Sequence, residues 1–421
     1  MNPQTNSSPR IRCVDREGEV LRPVRIDELI EETHRARIVW AFVDGLDLSG
    51  LYGQVKSVEG NAGRPAIDAK ILVAVWLYAT LDGEISARRL ATFCKEFNPY
   101  IWLCGGIEIN HHTLSDFYTS HADWLEKQFT LHLASLIHQG LVDFETVAQD
   151  GMRVRASAGA ASFRRGETLE ECLQTAEAYM EKLAKEREEN PQVVDKGKQA
   201  AKERAARERQ ERVREAQRQL PEVEAKKEES DRNKARVSTT DPDARVMKMA
   251  DGGFRPAFNV QFSTDTDSQI IVGFDVVNEG SDQNQLSPML EQIYKRTGEY
   301  PDNVLVDGGF VNKTDIENTT QKDVTLYAPV QKPKDESRDP YQPMPKDSQS
   351  VADWRKRMGT DAAKEIYKER AATAECVNAI TRNRGLRQFT VRGLKKAKAA
   401  MLWFVFAHNL MREAVLRPVS A

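Results

Sequence analysis

Nowhere in the 421 residues do about 18 apolar side chains run together, so no transmembrane helix is expected. The stretch Met1 to Arg10 is polar and lacks the apolar segment of a secretory signal, which leads us to expect a cytoplasmic protein with no membrane partner. Cysteine is sparse. Its five residues, Cys13, Cys94, Cys104, Cys172 and Cys376, form no CxxC pair, so neither a zinc site nor a disulfide framework is expected. A strong basic excess is also missing, the net charge being −3, and composition gives no global sign of nucleic-acid binding. What is present is an ordinary share of apolar residues (40%) with many charges (30%), enough chain for two or three domains with their own cores. The cations cluster locally at Arg153-Arg155, Arg164-Arg165, Arg382-Arg384-Arg387 and Lys395-Lys396-Lys398, and local patches decide where a phosphate backbone docks.

Periodicity divides the chain. Residues 1–141 read as a mainly helical N-terminal domain. An apolar helix spans Ala66 to Tyr78 after Gly63-Arg64-Pro65, a second spans Ser86 to Glu96 with Ser86 as its N-cap, and a third begins at Thr113 and reaches His132 or beyond. Short helices of this kind fit helix-turn-helix DNA binding or a plain bundle, and the bundle is slightly favoured. Residues 142–421 alternate strands with helices. Glu145 to Asp150 reads as a strand closed by Gly151, Pro256 to Ser263 and Gln269 to Val277 as a hairpin, and Gln283 to Arg296 as a helix. Strand Asn303 to Val306, a short helix from Lys313, strand Val324 to Val330, a helical region over Asp361 to Asn383 and an apolar helix over Lys396 to Glu413 follow. The order describes an α/β core with a mixed sheet. Between its first strand and the hairpin lies an insert of about 168–236. There Leu169, Cys172, Leu173, Ala176, Tyr179, Met180 and Leu183 form one helical stripe before a highly charged stretch, so two antiparallel helices are expected. Their mixed charges favour a solvated hairpin over a dimer or DNA contact. The stretch 332–350, rich in Pro, Lys, Asp and Ser, reads as a flexible loop.

Two aspartates fall where strands are expected to end. Asp150 precedes Gly151, and Asp307 precedes Gly308-Gly309, with the glycines read as letting the backbone turn sharply. In open α/β sheets, ligand sites gather beyond the carboxyl ends of strands. On the helix near the C-terminus, Glu375, Asn378 and Arg382 share a stripe at i, i+3 and i+7, with Tyr367 and Arg370 upstream. A carboxylate beside arginines suits phosphate chemistry, because guanidinium binds phosphate through two parallel hydrogen bonds. Three carboxylates on separate elements also suit Mg2+, a hard cation that takes oxygen ligands and keeps open positions. Taken singly, each acid is more often a turn, cap or solvated residue.

Together these strings resemble the DDE transposases of bacterial insertion sequences. Asp150-Gly151-Met152-Arg153-Val154-Arg155-Ala156 resembles the family's first-aspartate strand, and Val306-Asp307-Gly308-Gly309-Phe310 its second. Tyr367, Arg370, Glu375 and Arg382 resemble the tyrosine-arginine-glutamate-lysine signature of the third acid, with arginine at the position where lysine is common. The insertion sequence 1182 family is the nearest likeness, echoed also by Trp76-Leu77-Tyr78, His111 to Phe117 and Ala407-His408-Asn409-Leu410. The resemblance implies a ribonuclease-H-like catalytic domain carrying an inserted helical arm. It implies strand cleavage and transfer at terminal inverted repeats with two Mg2+ ions, replaceable by Mn2+. Asp150, Asp307 and Glu375 are then the catalytic metal ligands, Asp150 being shared, while Tyr367, Arg370, Asn378 and Arg382 contact DNA. A homodimer at least on DNA is implied as well, with DNA-end binding or dimerisation assigned to residues 1–141. The competing readings are a ribonuclease-H-like nuclease without strand transfer and a non-catalytic, domesticated DNA-binding protein. His111 and His112 receive no metal role.

Overall fold

The computed structural model describes residues 23–57, 65–189, 196–333 and 338–417; Cys13, Gly63, Arg64 and part of the expected 332–350 loop lie outside them. Among the described residues a 3-10 helix (Ile26–Leu29) precedes seven α-helices: α1 (Arg35–Asp44), α2 (Ser49–Tyr52), α3 (Ala69–Leu81), α4 (Ala87–Glu96), α5 (Asn98–Cys104), α6 (His111–Ser120) and α7 (Ala122–His138). Asp68 caps α3 by accepting from Lys70 N–H at 2.9 Å, and Ser86 caps α4 through Arg89 N–H at 3.4 Å. The expected helix from Thr113 is two helices, broken at His121. Strand β1 (Thr146–Arg155) opens the sheet region. After it come β2 (Phe163–Arg164), the arm helices α8 (Gly166–Glu189) and α9 (Lys196–Ala225), β3 (Val237–Ser238), β4 (Arg245–Lys248), β5 (Phe254–Asp265) and β6 (Ile271–Val277). Then follow α10 (Leu286–Thr297), β7 (Asn303–Leu305), α11 (Lys313–Gln321), β8 (Thr325–Tyr327), α12 (Gln349–Met358), α13 (Asp361–Arg370), a π-turn (Ala371–Glu375), α14 (Cys376–Asn383) and α15 (Leu394–Leu416).

The main sheet runs β4-β5-β1-β7-β8, with β6 also paired to β5. β1 is antiparallel to β5 and parallel to β7, which is parallel to β8. A mixed sheet preceded by a helical region is the α/β architecture expected, and the strand arrangement is consistent with a ribonuclease-H-like fold. The arm leaves and rejoins through the small β2-β3 ladder. Leu169, Ala176 and Leu183 on α8 are buried, as are Ala206, Val213, Ala216 and Leu220 on α9, while Tyr179 of the predicted stripe stays exposed. Glu177 and Arg214 join the two helices at 2.9 Å.

The middle of α15, Ala399 to Leu410, is buried on every side, the mark of a helix segment enclosed all round. It packs on α3, α6, α7 and β6, so one core links the N-terminal helices to a face of the sheet. Trp403 stacks on Tyr118 and donates to that residue's carbonyl at 3.0 Å. The string Ala407-His408-Asn409-Leu410 is explained here. Asn409 accepts from Ile271 N–H and donates to Ile271 C=O, both at 2.9 Å; His408 Nε2 meets Gln269 O at 2.7 Å. Burial pushes His408 down to about 4, keeping it neutral. These contacts clamp the tip of the β5-β6 hairpin. Among the described residues no helix is long and apolar enough to cross a membrane.

Two aspartates from the arm's exit cap α15. Asp241 Oδ1 accepts from Gly393 N–H at 3.1 Å and Asp243 Oδ2 from Leu394 N–H at 2.8 Å. Asp241 is fully buried and its Oδ2 has no partner, so burial raises its pKa to about 6 from 3.8. An acid whose folded pKa lies above its unfolded value is best accommodated protonated, so stability falls as pH rises from about 4 through about 6. Asp241→Asn keeps an oxygen for Gly393 N–H and removes that slope, a difference of about 3 kcal/mol between the two proteins across the window. Urea titrations at both ends of the window measure it; equal slopes contradict the assignment.

Candidate active site

β1 is longer than its sequence pattern suggested. Asp150 sits mid-strand, opposite Phe262 of β5, and the chain runs on extended through Gly151 to Arg155. Gly151 is therefore no turn. A Cβ there would lie 2.9 Å from Asp282 Cγ and closer still to Asp282 Oδ1 and Gln261 Nε2, so the glycine admits a close approach. Asp282 is held by Asn259 and Gln261, each at 2.7 Å, and by Arg153 at 2.8 Å. Successive strand side chains alternate faces, so this network lies on the side of β1 opposite Asp150. Nothing in the sequence marked Asp282, whose partners are up to 129 positions away.

Asp307 follows β7 in a turn, as expected. Its Oδ1 accepts from Gly309 N–H at 2.7 Å, and its carbonyl from Phe310 N–H at 3.2 Å. Because β1 and β7 are adjacent and parallel, the two aspartates reach the same region. The helical segment after α12 supplies the rest. Arg370, the last residue of α13, brings one terminal guanidinium nitrogen to 3.3 Å from Asp150 Oδ1 and 3.9 Å from Asp307 Oδ2. Asn378 of α14 donates to Asp150 Oδ2 at 3.0 Å, and Gly151 N–H donates to Oδ1 at 2.9 Å. Asp150 is 17% exposed and Arg370 13%, whereas Asp307 keeps 42% of its side chain open to water.

Burial raises the pKa of Asp150 above the usual carboxylate value; Arg370 and the Gly151 N–H pull it back, and Asp307 and Asp282 push the same way as burial. Tyr367 is half-buried beside them. Burial raises its hydroxyl pKa, Arg370 opposes, and Asp307, Asp150 and Glu375 add to the rise, so all three acids lie within electrostatic reach of one phenol. Glu375 is exposed at the end of the π-turn, and Arg382 is exposed on α14. The structure thus gathers Asp150, Asp307, Arg370, Asn378 and Tyr367, with Glu375 at the margin. Among the described residues no three His, Cys, Asp or Glu side chains are grouped closely enough to hold a metal. The donor chemistry nevertheless fits a hard divalent ion, since two carboxylates already share one positive charge.

Residues 334–414 match the family described as "Transposase DDE domain", a span that holds Tyr367, Arg370, Glu375, Asn378 and Arg382. Residues 24–120, ending with α6, match "Transposase domain (DUF772)". The chain thus carries matches to two transposase domains, one of them a DDE domain. The two domains together are typical of insertion sequence 1182 transposases, which agrees with the likeness read from the motifs. No curated protein and no solved structure matches the chain. The segment matched to the DDE domain contributes the arginine and asparagine that bind the Asp150 carboxylate on β1, outside the matched span.

Proposed function

We propose that the chain is a transposase that binds the terminal inverted repeats of its own insertion sequence and catalyses divalent-metal-dependent strand cleavage and strand transfer. The observation that carries the reading is the meeting of Asp150 and Asp307, from adjacent parallel strands, around residues of the DDE-domain segment. Asp150, Asp307 and Glu375 would hold two Mg2+ ions, with Mn2+ able to replace them. When bound, such a pair supplies Lewis-acid chemistry, making the attacking oxygen more nucleophilic and offsetting charge on the leaving oxygen.

The chain's own groups do the positioning. Asn378 and the Gly151 N–H fix the two oxygens of Asp150, so that carboxylate presents one orientation. Partial burial of Asp150 strengthens every charge interaction made there. Arg382, exposed on α14, and Arg370 with Tyr367 orient the DNA end through its phosphates. No side chain is needed as general base. We assign residues 1–141 to DNA-end binding or dimerisation and residues 142–421 to catalysis, with a homodimer on DNA, acting in the cytoplasm at the nucleoid.

Oligonucleotides ending in the element's inverted repeats test the reading. Joined products in the presence of Mg2+ or Mn2+ are the expected result. Cleavage without joining makes the protein a nuclease, and binding without either makes it a domesticated DNA-binding protein.

A further inference from the structure

The place between Asp150 and Asp307 is filled by a charge from the chain itself. Two carboxylates brought together in a partly buried site repel one another unless a cation stands between them. Here a single guanidinium nitrogen stands 3.3 Å from one and 3.9 Å from the other. The contacts are unlike those of a permanent arginine–carboxylate pair, which is bidentate and shorter. Arg370 Nε is buried with no hydrogen-bond partner, and the contact to Asp307 is too long for a hydrogen bond. The arginine compensates charge without being locked in.

We propose that Arg370 is a resident counter-ion that holds the Asp150–Asp307 pair together before metal arrives and that a divalent cation has to displace. The inference rests on the reading above, that these acids bind metal. Its second support is the backbone: Arg370 immediately precedes the π-turn Ala371–Glu375, whose last residue is the third acid. Such turns are uncommon and concentrate at functional sites. In a regular α-helix, positions five apart are rotated by about 140° from each other; the wider turn brings Arg370 and Glu375 nearer to one side. Removal of the guanidinium and approach of Glu375 therefore draw on the same short segment. Once displaced, the guanidinium is free for a DNA phosphate, so metal and DNA end would each favour the other's binding.

Binding of Mn2+ to the full chain without DNA, followed by the electron paramagnetic resonance of free Mn2+, tests this. Arg370→Gln is expected to bind Mn2+ about ten-fold more tightly than the wild type, and Arg370→Lys, which keeps the charge, close to the wild type. Arg370→Met serves as a second neutral variant should Arg370→Gln fold poorly. The metal-free neutral variant is expected to melt lower than the wild type and to recover that loss when Mn2+ is added. Binding that Asp150→Asn/Asp307→Asn abolishes but that neutral variants at 370 leave unchanged or weaken overturns the counter-ion alone. Binding insensitive to the double aspartate change overturns the metal site and the counter-ion with it.

Discussion

Asp150→Asn is expected to reduce strand joining by about 10³-fold or more while leaving the protein folded and no less heat-stable than the wild type. The two halves of that statement have one cause. Burial raises the folded-state pKa of Asp150, so the ionised carboxylate present at neutral pH is a cost to the fold. The sign follows: a folded pKa above the unfolded one means that deprotonation weakens folding as pH rises past the unfolded value, and a neutral amide does not bear that loss. The amide's oxygen still accepts from Asn378 or from Gly151 N–H, so the local hydrogen bonds have a substitute. What is lost is the negative charge that a divalent ion would need in the proposed reaction. A residue that costs stability and is indispensable to activity belongs to the function of a protein and not to its folding. Joining assays, DNA-end binding and thermal melts on the same preparation check it. Joining at wild-type rate removes Asp150 from the chemistry; a large fall in melting temperature makes it a structural residue.

Gly151→Ala, one position along, is expected to do the reverse and destabilise the fold by about 3 kcal/mol, with activity falling as a consequence. The strand geometry at 151 suits any residue, so the penalty comes from space alone. The added methyl meets Asp282, which cannot swing aside cheaply because Arg153, Asn259 and Gln261 all hold it. Either that network breaks or β1 shifts, and β1 carries Asp150. Asp282→Ala opens the space, so the double variant should be more stable than the sum of the single changes predicts, by about 1 kcal/mol or more. Strict additivity in denaturant melts would place the strain elsewhere.

These two neighbours show what was legible in the sequence and what was not. Asp307 was readable because an apolar strand followed by Gly-Gly is a local signal, and the turn is there. Asp150 is readable as a strand acid, but the sequence presents Gly151 as punctuation. Glycine has two physical uses, turning and close approach, and only tertiary packing tells them apart. The element order survived, since hydrophobic period is local, while α12 was missed under a Pro- and Lys-rich stretch although Val351, Trp354 and Met358 repeat at helical spacing. From its place in the sequence Arg370 reads as a phosphate ligand. Its meeting with two carboxylates depends on the register between a π-turn and two strands, which no spacing in the chain encodes.

The all-round burial of the middle of α15 has a consequence for how the protein is made. The N-terminal helices emerge from the ribosome first, yet the surface they must cover belongs to residues some three hundred positions later. Contacts of such separation form late and leave apolar surface open meanwhile. A nascent chain stopped short of Leu394 would carry an unsealed helical layer and an unclamped hairpin, prey to proteases and self-association.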